Sequence, residues 1–164
     1  MKLKTFKTGG IHPNDCKDFS NEKPLERMPT PPMLYVQVNQ HIGAPCKVKV
    51  QAGDRVKIGQ VIADGEAGVT SKLHSPVSGW IVEIKKMTLL NDRKDDVIVI
   101  KNDEKYESIE EYKERALPST YEQFIEAVRN AGIIGMGGAG FPTHIKLSPP
   151  KDKVIDVFII NGVE

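Results

Sequence analysis

Between residues 33 and 102, short apolar runs alternate with turns that contain glycine. Several of these runs have the length of a strand and are rich in β-branched residues, which favour a pleated sheet. They are MLYVQV (33–38), KVKV (47–50), QVIA (60–63), WIVEI (80–84) and VIVI (97–100). The spacing predicts a compact all-β barrel or sandwich over residues 33–102.

The segments on either side of this β module lack the pattern. Residues 1–32 are rich in glycine, proline, asparagine and charge and end in PTPP. Because proline sustains neither a helix nor a central strand, they are predicted to form an irregular arm. Residues 103–118 carry a run of charged side chains, which is typical of a solvated linker.

A helix is predicted at the start of the last region, residues 119–164. Ser119 and Glu122 have the spacing of a capping box, and Gly132 supplies a stop signal. Apolar residues recur between them at helical spacing: Tyr121, Phe124, Ile125 and Val128.

The final apolar run, VIDVFII over residues 154–160, is of the kind that forms a buried parallel strand. Such a strand must be covered on both faces and paired at its edges, and one helix and one loop are too little for that. We therefore expect these residues to be the N-terminal piece of a longer protein. Residues 119–164 would be the truncated start of an α/β domain, which gives an α+β class overall.

Composition and charge narrow the possible ligands. The chain has 23 basic and 22 acidic residues, so it offers no electrostatic case for nucleic acid or an anionic membrane surface. No stretch approaches the roughly 18 apolar residues of a membrane span, and the N-terminus lacks the apolar core of a signal peptide. Cys16 and Cys46 lack C-x-x-C spacing and suit a reducing compartment, and with scattered histidines no metal site is expected.

The loop after the predicted helix contains the G-x-G-x-x-G spacing at Gly135, Gly137 and Gly140. A dinucleotide fingerprint needs a strand before the loop, whereas a helix is predicted there, and no Gly-Lys-Ser/Thr completes a Walker loop. Two interpretations stay open. Gly137, Gly138 and Gly140 form an anion-binding nest to which Lys146 adds charge, or they follow a helix end as a flexible turn.

Two segments of the β module, AGDRVKIGQVIA (52–63) and HSPVSGWIVEI (74–84), resemble the halves of the biotinyl/lipoyl-type barrel-sandwich hybrid. That resemblance raises an acyl-carrier hypothesis in which Lys72 is modified. Lys72 lacks the Met-Lys-Met or Asp-Lys-Ala setting of carrier domains, so we favour a structural barrel. Lys72 is then a solvated surface residue, and His74 a turn or packing histidine.

A second resemblance covers almost the whole chain. GIIGMGGAGFPTHIKL (132–147) followed by VFIINGVE (157–164) resembles the flavin-binding region of the NADH-oxidising subunit of respiratory complex I. It is more similar to the RnfC subunit of the Rnf electron-transport complex, which also has a KTGGIHP-like segment (7–13) and a barrel. Met136 stands where complex I has arginine, and Val163 where it has aspartate, and both replacements are usual for RnfC.

The resemblance implies a set of cofactor-binding residues. Those that would offer main-chain N–H groups to the phosphate of flavin mononucleotide (FMN) or of the dinucleotide are Gly135, Gly137, Gly138, Ala139 and Gly140. Phe141 would fix the shape of the loop, and Lys146 would sit near the flavin. Asn161 and Glu164 would correspond to polar residues around the isoalloxazine and the nicotinamide. No catalytic or metal-binding side chain is implied within these residues.

As a function, the resemblance implies the N-terminal part of a peripheral subunit, on the cytoplasmic face of the membrane, of an ion-translocating ferredoxin:NAD+ oxidoreductase. Electrons would pass between NAD(H), FMN and two [4Fe-4S] clusters whose cysteine motifs are expected beyond Glu164. This piece alone is expected to be inactive. The alternatives are a non-catalytic barrel that docks partner subunits, with the glycine loop as a hinge, and the acyl carrier.

Overall fold

The computed structural model describes residues 14, 16–66, 68–90, 92–110, 117–150 and 152–160. The chain divides into two compact units, Met1–Thr30 and Pro31–Glu164. In the first unit, the described residues are exposed, and the amides of Ser20 and Asn21 both donate to the carbonyl of Lys17 at 2.9 Å. The segment 7–13 used for the resemblance lies outside the described residues, and the domain boundaries drawn from the sequence stay predictions.

In its described residues, the second unit contains seven short strands followed by two helices. The strands are β1 (Met33–Gln37), β2 (Lys47–Val48), β3 (Arg55–Val56), β4 (Val61–Asp64), β5 (Leu73–His74), β6 (Gly79–Thr88) and β7 (Lys94–Asn102). The helices are α1 (Tyr121–Asn130) and α2 (Thr143–Lys146). Neither helix, nor any other in the described part of the chain, is long and apolar enough to cross a bilayer.

The strands form two antiparallel sheets, which confirms the predicted barrel-sandwich class. One sheet has the order β1-β7-β6-β3 and the other β2-β4-β5. The long hairpin of β6 and β7 pairs Ile81 with Ile100 and then Glu83 with Val99, so Val82 is an extra residue that forms a β-bulge. The strands β3 and β5, two residues each, were not predicted because so short a segment shows no alternation.

The core lies between the two sheets and consists of branched aliphatic side chains. Val56, Ile62, Ile98 and Ile100 have no exposed surface. On the opposite face of β7, Val97 and Val99 are also buried, at 2% and 1% exposed. This explains the continuous VIVI run, since a strand that is covered on both faces does not alternate with polar residues.

The connection after the barrel is tied to it by an ion-pair network. The guanidinium of Arg55 lies 3.1 Å from the carboxylate of Asp103 and 2.8 Å from that of Glu107. The hydroxyl of Ser78 donates to Asp103 at 2.6 Å, and this hydrogen bond is the main reason that the pKa of Asp103 falls to about 2. Asp103 is therefore ionised throughout the neutral range.

Helix α1 begins one residue later than the sequence suggested. Thr120, not Ser119, is the N-cap, and it forms a capping box with Gln123 rather than with Glu122. The hydroxyl of Thr120 accepts from the amide of Gln123, whose side chain accepts from the amide of Thr120. The predicted stop is confirmed, because Gly132 follows the helix with φ of 69°.

The predicted buried strand over residues 154–160 is wrong. The segment has no assigned strand, and its residues are exposed, with Val154 at 85% and Ile159 at 84%. An apolar run becomes a buried strand only when neighbouring strands pair with its edges and other elements cover its faces. The described residues supply neither.

Candidate functional site

The glycine loop, residues 133–143, has the form of a short hairpin whose base is closed by two backbone hydrogen bonds. The amide of Gly135 donates to the carbonyl of Phe141 at 2.9 Å, and the amide of Thr143 donates to the carbonyl of Ile133 at 3.0 Å. The intervening residues form turns. The Gly135 amide, one of the predicted phosphate donors, is therefore occupied by a bond within the loop.

The tip of the loop is open to solvent. Gly137, Gly138 and Ala139 are exposed, and their amides take no part in the two bonds that close the base. A Cβ atom built on Gly137 or Gly138 has no heavy atom within 4 Å. The tip thus has the space and the free backbone that a phosphate group requires, which fits the FMN phosphate implied by the resemblance.

Two other glycines of this segment lie against the barrel instead. A Cβ on Gly132 would lie 2.4 Å from the carbonyl oxygen of Lys72. A Cβ on Gly140 would lie 2.8 Å from the carbonyl oxygen of Gln40 and 3.1 Å from the Cα of His41. Gly140 is buried, so its surroundings differ from those of Gly137 and Gly138, with which the sequence grouped it.

The remaining predicted site residues are placed as follows. Phe141 is half-buried and accepts the bond that closes the loop, in keeping with a role in fixing its shape. Lys146 is exposed in the last turn of α2. Asn161 and Glu164 lie outside the described residues. The binding roles of all these residues stay predictions.

Lys72 is not the solvated surface residue that the sequence suggested. It is half-buried, and its amine donates to the side-chain carbonyl of Asn130 at 2.6 Å, joining the barrel to the end of α1. His74 packs beside Gly132, since a Cβ on that glycine would lie 3.0 Å from the imidazole ring. A lysine held in this way is poorly suited to swing as an acyl carrier.

A cluster around His41 escaped the sequence analysis because its members are far apart in the chain. The amide of Ser71 donates to Nε2 of His41 at 3.1 Å, which leaves the proton on Nδ1, 3.0 Å from the carbonyl of Ile42. The thiol of Cys46 donates to the carbonyl of Ser71 at 3.1 Å. Burial raises the pKa of the Cys46 thiol, so it is protonated at neutral pH and is not an activated nucleophile.

His144 lies immediately after the loop and is 5% exposed. Its Nδ1 is buried without a hydrogen-bond partner. Burial lowers the pKa of His144, and the charge of Arg129 lowers it further, so the ring is neutral at pH 7. Within the described residues, no group of three His, Cys, Asp or Glu side chains is arranged to hold a metal ion.

A cavity of about 210 Å³ separates the glycine loop from the barrel. Its lining residues are Val38, Gln40, His41, Ser71, Lys72 and Leu73 from the barrel and Gly132, Ile134 and Met136 from the following segment. The barrel therefore lies directly beside the candidate site.

Comparison with known families separates the same two parts of the chain. The family model described as the RnfC barrel sandwich hybrid domain matches residues 4–105. The model described as the Nuo51 FMN-binding domain matches residues 128–164, which include the glycine loop and the exposed apolar run.

Individual relatives match along nearly the whole chain. The RnfC subunit of the proton-translocating ferredoxin:NAD(+) oxidoreductase complex of Clostridium ljungdahlii is 43% identical over 99% of the chain, but over only 36% of its own length. Its counterpart in the Na(+)-translocating complex of Acetobacterium woodii is 35% identical over 100% of the chain and 37% of its own length. The chain thus spans about a third of the length of these relatives. Because the barrel model covers more than half of its residues, the chain belongs to the RnfC family.

Proposed function

We propose that this chain is the N-terminal part of a peripheral subunit of an ion-translocating ferredoxin:NAD+ oxidoreductase. The names of the relatives support this activity, and their multisubunit complexes make the other subunits the expected partners. The subunit would lie at the cytoplasmic face of the membrane, next to subunits that span it. The [4Fe-4S] clusters of the proposed electron path would be bound by residues beyond this chain.

The observation that carries the proposal is the open tip of the glycine loop, inside the segment that matches an FMN-binding family. The amides of Gly137, Gly138 and Ala139 would donate to the FMN phosphate. Bound FMN supplies both hydride and single-electron chemistry, so it can connect NAD(H) with clusters that carry one electron each. The chain's own task is to hold the flavin and to orient it.

Other residues would complete the site. Phe141 would keep the loop closed through its bond to Gly135. Lys146 would place a positive charge near the flavin, and Asn161 and Glu164 would bind the polar edges of the isoalloxazine and the nicotinamide. Met136 brings no charge to the phosphate, so binding there depends on the backbone amides and on Lys146.

The test is to change Gly137 and Gly138 to valine in the full-length protein and to measure the flavin retained after purification. The free protein has room for both side chains, so the fold should persist, whereas a bound phosphate would be displaced. We expect flavin affinity to fall by roughly ten-fold or more, which corresponds to about 1.4 kcal/mol. Met136→Leu, at a 94% exposed position in the same loop, is the matched control.

Unchanged flavin content in both valine variants would overturn the assignment of the loop. Retained flavin with a raised KM for NADH would move the loop to the dinucleotide and refute its contact with the flavin. The docking-barrel alternative predicts no change in either quantity. The acyl-carrier alternative predicts a lipoyl or biotinyl mass on Lys72, against which the bond from that amine to Asn130 argues.

A further inference from the structure

Four glycines of this segment divide into two kinds by what surrounds them. Gly137 and Gly138 face open space, whereas Gly132 and Gly140 face barrel backbone. Gly132 has φ of 69° and Gly140 has φ of 67°, a region that residues with a Cβ rarely adopt. At these two positions glycine is required both by the backbone conformation and by the close approach of the barrel.

The barrel holds the loop near both of its ends. Gly132 precedes the loop and meets the carbonyl of Lys72, and Gly140 follows the tip and meets the backbone of Gln40 and His41. A third tie is the 2.6 Å hydrogen bond from the amine of Lys72 to Asn130, at the end of α1. The open tip lies between these contacts in the sequence.

The barrel surface that receives Gly140 is itself well anchored. His41 is hydrogen-bonded through both ring nitrogens, to Ser71 on one side and to Ile42 on the other. The side-chain amide of Gln40 donates to the carbonyl of Gln37, the last residue of β1, at 2.9 Å. Gln40 and His41 are therefore connected to the strands and not to the loop alone.

We infer that the barrel is a positioning element of the flavin site, acting through Gln40, His41 and Lys72 on the backbone of the glycine loop. This inference rests on the proposed function of the loop. A chain segment with several glycines loses much conformational entropy when it is ordered around a ligand. Contacts that order the loop before binding remove part of that cost, so they raise affinity without touching the flavin.

The test uses the full-length protein and compares Gly140→Ala with Gly138→Ala. Alanine at Gly140 would meet the Gln40 carbonyl and force the loop away from the barrel, whereas alanine at Gly138 meets nothing within 4 Å. We expect Gly140→Ala to lower flavin affinity by roughly ten-fold and to change the visible circular dichroism of the remaining bound flavin. Hydrogen exchange of the strands should stay as in the unaltered protein.

Because Gly140→Ala could simply misfold the loop, Lys72→Met provides a second, milder variant. It keeps the aliphatic stem and removes only the donor to Asn130. We expect roughly a three-fold lower flavin affinity and faster amide exchange in residues 133–143, with recovery in Lys72→Arg, which restores a donor.

The outcomes separate the inference from the function on which it rests. If Gly138→Val loses flavin while Gly140→Ala and Lys72→Met keep normal affinity and a normal flavin spectrum, the positioning role is wrong and the flavin site stands. If Gly138→Val retains its flavin, the proposed function is wrong whatever the barrel variants do.

Discussion

The barrel and the segment that follows it bury very different amounts of apolar surface. Two sheets enclose a continuous set of valine and isoleucine side chains in the barrel. By contrast, the two described helices bury one side chain each, Val128 in α1 and His144 in α2. The apolar side chains of residues 154–160 are exposed as well. The barrel thus supplies its own stability, whereas the later segment depends on contacts with the barrel and on local capping.

The largest effect should come from emptying the barrel core. Ile98→Ala removes a fully buried side chain between the sheets and should lower the free energy of unfolding of this chain by about 3 kcal/mol, measured by urea denaturation. Val82→Ala, at the 45% exposed bulge position, is the control and should cost about 0.5 kcal/mol or less. Equal losses in the two variants would contradict the asymmetry between core and surface.

A smaller effect should follow from removing the cap of α1, which has little burial to support it. Thr120→Ala breaks the capping box and should destabilise the helix by about 1 kcal/mol. Amide exchange within Tyr121–Asn130 should then be roughly five-fold faster, while the barrel strands keep their protection.

Ser119→Ala is the matched control for that change. Only the backbone amide of Ser119 is used here, as a donor to Gln123, so exchange in α1 should stay as it was. Faster exchange in Ser119→Ala than in Thr120→Ala would restore the capping box that the sequence suggested.

The smallest effect should be a pH dependence confined to the later segment. The pKa of His144 in the fold lies below its ordinary value of 6.5, because burial disfavours the charged ring. The fold therefore favours the neutral form, so this contribution to stability is complete above pH 6.5 and is lost as the pH falls through the lower, folded-state pKa. Exchange in α1 and α2 should accelerate on acidification more in the unaltered chain than in His144→Gln.

Glu126 and Arg129 of α1 act on His144 in opposite directions, Glu126 raising its pKa and Arg129 lowering it. Arg129→Gln should therefore move the onset of the acid effect to higher pH. An acid effect in the barrel strands should appear only at much lower pH, where Asp103 titrates near its pKa of about 2. An identical pH response of the two regions would refute their independence.

The sequence was most informative where a signal is repeated along the chain. Strands β4, β6 and β7 each contain an apolar run long enough to be recognised, and the class of the fold followed from their spacing. Short strands such as β3 gave no such signal. The choice between Ser119 and Thr120 as cap could not be made from spacing, because adjacent hydroxyl residues have the same chemistry and only the backbone path selects one.

The candidate site shows the same division. The glycine motif and its resemblance marked the loop correctly as a distinct segment, and the family models match on both sides of it. Its glycines could not be told apart, because the roles of Gly132 and Gly140 are set by barrel residues far earlier in the chain. For the same reason the bond from Lys72 to Asn130 and the anchoring of His41 were not foreseen.

By itself the sequence determined that a β module of branched aliphatic residues precedes a capped helix and a loop free of large side chains. These are local properties, set by periodicity and by backbone propensity. Only the tertiary structure decided which glycines face solvent and which face the barrel, and that the apolar run at 154–160 is exposed. Burial and close approach depend on what a segment meets in space, and residues that are distant in the chain supply that environment.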